Sequence, residues 1–122
     1  MSNLRIFSDN ININGKRIIV RLDLNVPIKN SKIEDYTRIK IIEPFVNKLI
    51  ENKAKVILLT HLGRPMGKVN PRLTLKPIFN YLEKNLNGKI YFYQKNIDEK
   101  ALEATREIKP GEVLLFENIR FF

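Results

Sequence analysis

The sequence predicts an α/β fold, a three-layer arrangement with a parallel sheet and helices on both of its faces. Two observations predict it. Short apolar runs of the kind found in buried strands alternate with segments in which apolar residues recur at helical spacing, in the order β-α-β-α-β-α-β. The chain has 122 residues, 43% of them hydrophobic, enough for one packed core and no more than one domain. No internal repeat, low-complexity stretch or linker divides it, so residues 1–122 are read as one unit or a piece of one.

The first strand is carried by Ile18, Ile19, Val20 and Leu22, a nearly continuous apolar run expected to be covered on both faces. It gives way to Asp23, Asn25 and Pro27, which are polar and turn-forming. A polar connection, KNSKIEDY, leads to a helix pattern through Ile39, Ile42, Val46, Leu49 and Ile50. Pro44 either kinks that helix or marks where it begins, and Asn52 stops it. KVILLT, residues 55–60, is the second strand, again buried by its composition. After the stretch HLGRPMGKVNP, Thr74 suits a helix N-cap, Pro77 sits in the first turn, and Ile78, Tyr81, Leu82 and Leu86 share a face. Asn87-Gly88 closes that helix. KIYFY, residues 89–93, is the third strand. Asp98 caps a third helix carrying Ala101, Leu102, Thr105 and Ile108, KPGE breaks it, and VLLF, residues 113–116, is the fourth strand.

Open parallel sheets bind ligands beyond the carboxyl ends of their strands. Here those ends are followed by Asp23 and Asn25, by His61 and Arg64, and by Glu117, Asn118 and Arg120, while Arg38 before the first helix reaches the same rim. Arginine offers a planar fork of donors for phosphate or carboxylate. The chain's single histidine, His61, can donate a hydrogen bond or carry charge beside an anion. Asp23 accepts from a hydroxyl or orients an arginine, and Asn25 both donates and accepts. The set suits a small ligand with two anionic ends and a hydroxyl between them. Plainer readings stand beside these: Asp23 and Asn25 as turn residues, His61 as a strand-end histidine, Arg64 as a surface charge, Arg38 as a helix-face residue and Arg120 as a residue near a chain end.

Composition narrows the remaining classes. With no cysteine and one histidine, neither a disulfide framework nor a structural zinc site is expected. No signal peptide or membrane-spanning run is visible, so a cytoplasmic location and no membrane partner are expected. Lys and Arg total 22 against 13 Asp and Glu, a net charge of +9 that attracts anions. The alternative function is therefore a non-enzymatic basic domain holding nucleic acid or another polyanion. Against it, the aromatic residues fall mostly within predicted helices and strands, not in a basic surface strip. GRPMGKV resembles a phosphate loop but is one residue short, and Val69 stands where a magnesium-binding Ser or Thr is needed.

VRLDLNVP, THLGRP and LFENIRFF resemble the hallmark segments of the N-terminal domain of the phosphoglycerate kinase family, and DYTRIKIIEPFV resembles its segment with a further active-site arginine. The likeness runs from about Lys16 to Phe122, four motifs in order. It implies a Rossmann-like domain, incomplete here, from a glycolytic cytoplasmic enzyme that moves a phosphoryl group between 1,3-bisphosphoglycerate and ADP. Asp23, Leu24, Asn25, Arg38, His61, Leu62, Gly63, Arg64 and Arg120 are implied to bind 3-phosphoglycerate or 1,3-bisphosphoglycerate. Arg38 is implied to be catalytic as well, stabilising the transferring group. The same likeness implies that Mg2+ and ADP or ATP bind a nucleotide domain which these residues do not include, so no cofactor or metal is expected on this chain. A usually monomeric enzyme, no nucleic-acid partner, and an inactive chain when alone are the remaining implications. Thr60, where serine is common, and Phe122, where histidine or another aromatic is usual, depart from the family pattern.

Overall fold

The structure, a computed structural model, describes residues 12–22, 28–29, 32–60, 74–95 and 98–118. The elements are β1 (Arg17–Arg21), β2 (Ile28–Lys29), β3 (Lys32–Ile33), α1 (Thr37–Glu51), β4 (Lys55–Leu59), α2 (Lys76–Asn85), β5 (Ile90–Tyr93), α3 (Glu99–Glu107) and β6 (Val113–Phe116). β1, β4, β6 and β5 pair in that spatial order, every pair parallel. The predicted α/β class is thus the observed one, a Rossmann-like layered sheet.

Side chains alternate across the pleat, so each face of the sheet has its own core. On one face Val56, Leu58, Val113, Leu115 and Ile90 pack with Ile39, Val46, Leu49 and Ile50 of α1 and with Ile78 and Leu82 of α2. The helix residues are the ones the periodicity picks out. On the other face Ile57, Leu114 and Phe116 pack with Ala101 of α3 and with Ile108 just beyond it. Aromatic contacts extend both cores: Phe79 stacks on Phe92 at 5.2 Å, and Tyr93 meets Phe116 edge-on at 5.4 Å.

Local departures from expectation have physical causes. β1 was expected to be covered on both faces, and only one is: Ile18 and Val20 join the α1/α2 core, whereas Ile19 is 68% exposed. The polar connection before α1 contains a two-stranded antiparallel ribbon, in which Ile28 opposes Ile33 and Ile33 is buried against the core. Pro44 neither starts nor breaks α1, which runs through it. Pro44 and Lys40 are both exposed, so water can satisfy the Lys40 carbonyl that the proline leaves without a partner. Asp98 caps α3 as predicted, its Oδ1 accepting from the amides of Lys100 at 3.0 Å and Ala101 at 3.2 Å.

Candidate functional site

Three strand ends and two helix starts share one rim. Because β1, β4 and β6 are parallel, Leu22, Thr60 and Glu117 follow them at the same end of the sheet. Helices linking parallel strands run back across the sheet, so α1 and α2 begin at that end too.

Buried polar groups form the floor of the rim. Thr60, Glu117 and Asn118 are all buried. The Thr60 hydroxyl donates to the Leu22 carbonyl at 2.9 Å, and the Leu22 amide donates to the Leu59 carbonyl at 2.8 Å. β1 and β4 therefore stay joined up to the last described residues before Asp23 and His61. Glu117 ties the other side together. Its Oε2 accepts from the Thr74 hydroxyl at 2.5 Å, and its Oε1 accepts from the amides of Leu75 at 2.7 Å and Asn118 at 2.9 Å. Its own amide donates to the Tyr93 carbonyl at 2.8 Å. A carboxylate that accepts from the amide just before α2 complements the positive end of that helix. α2 begins after Leu75, so the N-cap is Leu75 and not Thr74; the Thr74 hydroxyl accepts from the Lys76 amide at 3.3 Å, and Glu117 holds the Leu75 amide just ahead of it.

Of the residues that the resemblance assigns to the ligand, Arg38 is the one among those described. It lies exposed in the first turn of α1. Just ahead of it, Asp35 Oδ1 accepts from the Thr37 hydroxyl at 2.6 Å and the Thr37 amide at 2.9 Å. Those two bonds hold the Asp35 carboxyl below its usual pKa, and the charge on Arg38 adds to the effect. Asp23, Leu24, Asn25, His61, Leu62, Gly63, Arg64 and Arg120 lie outside the described residues. The structure brings together the strand ends that lead to them. Tyr36, at the start of α1, lies 4.9 Å from the ring of Tyr81 on α2, which links the two helices near the rim.

Glu117 is the residue whose anchoring role the sequence did not disclose. An acidic side chain directly after a fully apolar strand was a usable signal. Its partners, 42 and 43 residues away, were not legible without the fold. One described concavity, of about 620 Å³ and lined by Lys40, Glu43, Asn47 and Glu51 among others, runs along α1. Among the described residues no group of three or more His, Cys, Asp or Glu could hold a metal ion, and no helix is long and apolar enough to cross a membrane.

Residues 8–122 match the family described as phosphoglycerate kinase. The chain is 45% identical over 113 residues to a phosphoglycerate kinase of Rhizobium meliloti (strain 1021), covering 93% of this chain and 28% of that protein. It is 44% identical over 124 residues to one from Prochlorococcus marinus (strain MIT 9515), covering 100% and 31%. Among solved structures, phosphoglycerate kinase from Pyrococcus horikoshii OT3 superposes with a TM-score of 0.81 at 32% identity, over 93% of this chain and 28% of that one. That from Coxiella burnetii gives 0.72 at 36% identity, over 92% and 27%. The chain spans less than a third of the length of the curated relatives it matches. With the match extending over nearly every residue, and with the parallel sheet those solved relatives share, this chain belongs to the phosphoglycerate kinase family.

Proposed function

We propose that this chain is the phosphoglycerate-binding, N-terminal part of an enzyme that transfers a phosphoryl group between 1,3-bisphosphoglycerate and ADP, in the cytoplasmic pathway of glycolysis. The observation that carries the reading is the family match over residues 8–122, in a chain whose motifs all follow strand ends or begin a helix. The ligand has a carboxylate, a hydroxyl and a phosphate. Arg38, Arg64, Arg120 and His61 supply its cationic and donor contacts. Asp23 and Asn25 take the hydroxyl, and Leu24, Leu62 and Gly63 line the site with them.

Phosphoryl transfer depends on positioning and charge neutralisation more than on covalent chemistry by the protein. Arg38 acts there as a fixed positive charge, holding the phosphoryl group in line and offsetting charge that builds on its oxygens. Exclusion of water strengthens each of these contacts. Magnesium and ADP or ATP would neutralise and carry the transferred group. The described residues do not fit a metal, and no step on this chain is assigned to one. The chain by itself is a binder, and catalysis needs a nucleotide-binding partner domain.

Binding strength follows from the contacts. Hydrogen bonds to charged groups contribute about 1.5–3 kcal/mol each. Association and ordering cost on the order of 4–15 kcal/mol. Set against that cost, these contacts should hold 3-phosphoglycerate with a Kd near ~1 mM or weaker, a free energy of about −4 kcal/mol. NMR titration with 3-phosphoglycerate tests this. Shifts should gather at Arg38, His61, Arg64 and Arg120, and Arg38→Ala should weaken binding about tenfold, the loss of one charge-assisted contact. Shifts that spare those residues would refute the reading. Equal shifts with any polyanion, fading together with added salt, would favour the basic-domain alternative.

A further inference from the structure

Two Asn-Gly pairs occur in the chain, Asn14-Gly15 and Asn87-Gly88, and the fold treats their glycine amides oppositely. In such a pair the glycine nitrogen can attack the asparagine side-chain carbonyl, because glycine has no Cβ to obstruct the approach. The nitrogen must first lose its proton. An amide whose hydrogen is held by a carbonyl therefore reacts only when the structure opens locally.

Gly15 is held. Its amide donates to the Lys53 carbonyl at 2.8 Å, and the turn around it is closed by the Lys16 amide on the Ile13 carbonyl at 3.0 Å. Gly88 is not: its amide makes no hydrogen bond among the described residues. Asn87 is fixed at its other end, where its own amide donates to Asn47 Oδ1 at 2.9 Å. The Asn87 side chain is exposed and has no hydrogen-bond partner among the described residues. Nearby Asn52 and Asn85 instead donate their side-chain amides to the carbonyls of Lys48 at 2.8 Å and Tyr81 at 2.7 Å. Asn87 also lines the concavity along α1, together with Lys40 and Lys48, whose positive charge favours a deprotonated nitrogen. The glycine itself is dictated by packing. A Cβ at position 88 would lie 2.5 Å from the Gly111 carbonyl oxygen and 2.9 Å from Ile50 Cγ2.

We propose that Asn87 is a self-modification site, at which the folded chain loses a side-chain amide, while the fold protects Asn14. The deprotonated Gly88 nitrogen forms a bond to Asn87 Cγ, and the bond from Cγ to the side-chain nitrogen breaks. That nitrogen leaves as ammonia, taking its third proton from water, and a five-membered imide remains. Water then opens the ring at either carbonyl, giving aspartate or isoaspartate. The net change is amide plus water to carboxylate plus ammonium, with no oxidation or reduction. Both products lower the net charge of +9 by one and put a carboxylate beside Lys40 and Lys48. Isoaspartate also lengthens the main chain by one methylene between α2 and β5, where Gly88 is wedged. Position 88 precedes β5, at the end of the sheet away from the rim, so the ligand titration and this inference stand or fall separately.

The test incubates the 122-residue chain at mildly alkaline pH, native and in urea, and follows each asparagine by peptide mass mapping and enzymatic isoaspartate methylation. Folding should slow the loss of the Asn14 amide at least about tenfold and that of Asn87 by less than about threefold. Hydrogen exchange at the Gly15 amide, measured in the same native sample, reports that the turn is formed. Asn87→Gln, at an exposed position and with a side chain that would need a less favourable six-membered ring, should remove the isoaspartate formed by the native chain. Three results overturn the proposal: protection of Asn87 equal to that of Asn14, no protection of Asn14 while Gly15 exchanges slowly, or native-state isoaspartate that persists undiminished in Asn87→Gln.

Discussion

Replacing Glu117 with alanine removes one acceptor group from three donors at once: the Thr74 hydroxyl and the amides of Leu75 and Asn118. Leu75 and Asn118 are both 0% exposed, so water cannot readily take over their amides in an unrelaxed structure. A buried donor left without a partner costs about 1–3 kcal/mol. The Thr74 hydroxyl is only partly buried and can turn elsewhere. Because the bonds share one side chain, their costs do not simply add. The expected loss is about 3–5 kcal/mol, large against the 5–15 kcal/mol typical of a whole domain. Glu117→Gln keeps Oε1 as an acceptor for both amides; it forfeits the charge, and its NH2 group donates where Oε2 accepted, so the Thr74 hydroxyl must turn to accept instead, for a cost of about 1–2 kcal/mol. Urea unfolding followed by circular dichroism measures both variants, with the exposed Glu83→Ala as a control expected within about 0.5 kcal/mol of the parent. Hydrogen exchange at the Leu75 amide should accelerate in the alanine variant more than in the glutamine variant. If the two variants are equally stable, or if alanine costs less than about 1 kcal/mol, the carboxylate is not what holds α2 to β6.

Three further outcomes are expected. In Gly88→Ala the new Cβ would sit 2.5 Å from the Gly111 carbonyl oxygen and 2.9 Å from Ile50 Cγ2, so overpacking should cost about 1–3 kcal/mol in urea unfolding. Asp98→Ala removes the cap of α3 and should cost about 1 kcal/mol, with exchange at the Lys100 and Ala101 amides accelerating first. The hydrogen bond to Glu43, then burial, pushes the Tyr81 phenol up to about 12 from an ordinary 10. The fold favours the neutral phenol, so its stabilisation is full below pH 10 and is lost as pH rises through about 12; ultraviolet phenolate titration should show this late step, and Glu43→Leu should move it down.

Local pattern made most of the fold legible. Residues such as Val46, Leu49, Ile78 and Leu82 announce their helices because a 3.6-residue period is a property of neighbouring positions alone. Asp98 was readable for the same reason, since a cap bonds to amides two and three residues ahead. The β2–β3 ribbon was missed because two-residue strands carry no measurable alternation. Thr74 falls one residue ahead of the N-cap, Leu75, and its hydroxyl donates to Glu117, a partner 43 residues away that no local pattern discloses. At the rim, Thr60, Glu117 and Asn118 are the described part of what the strand ends promised, and Arg38 stands at the start of α1.

The exposure of Ile19 and the location of the rim have a common topological origin. An apolar run was read as a strand covered on both faces, and the apolar character of β1 is indeed what a central strand requires. Yet β1 is an edge among the described residues, with Arg17, Ile19 and Arg21 all exposed on one face. Ligand crevices in doubly wound sheets open where neighbouring connections depart to opposite faces. The connections leaving β1 and β4 use the α1 face, and the one leaving β5 uses the α3 face. All depart from the carboxyl ends of the strands, and the end of β1 leads directly to Asp23 and Asn25. Among the described residues β1 is covered only on the face its own connection uses, which is why Ile19 is bare on the strand whose end opens the rim.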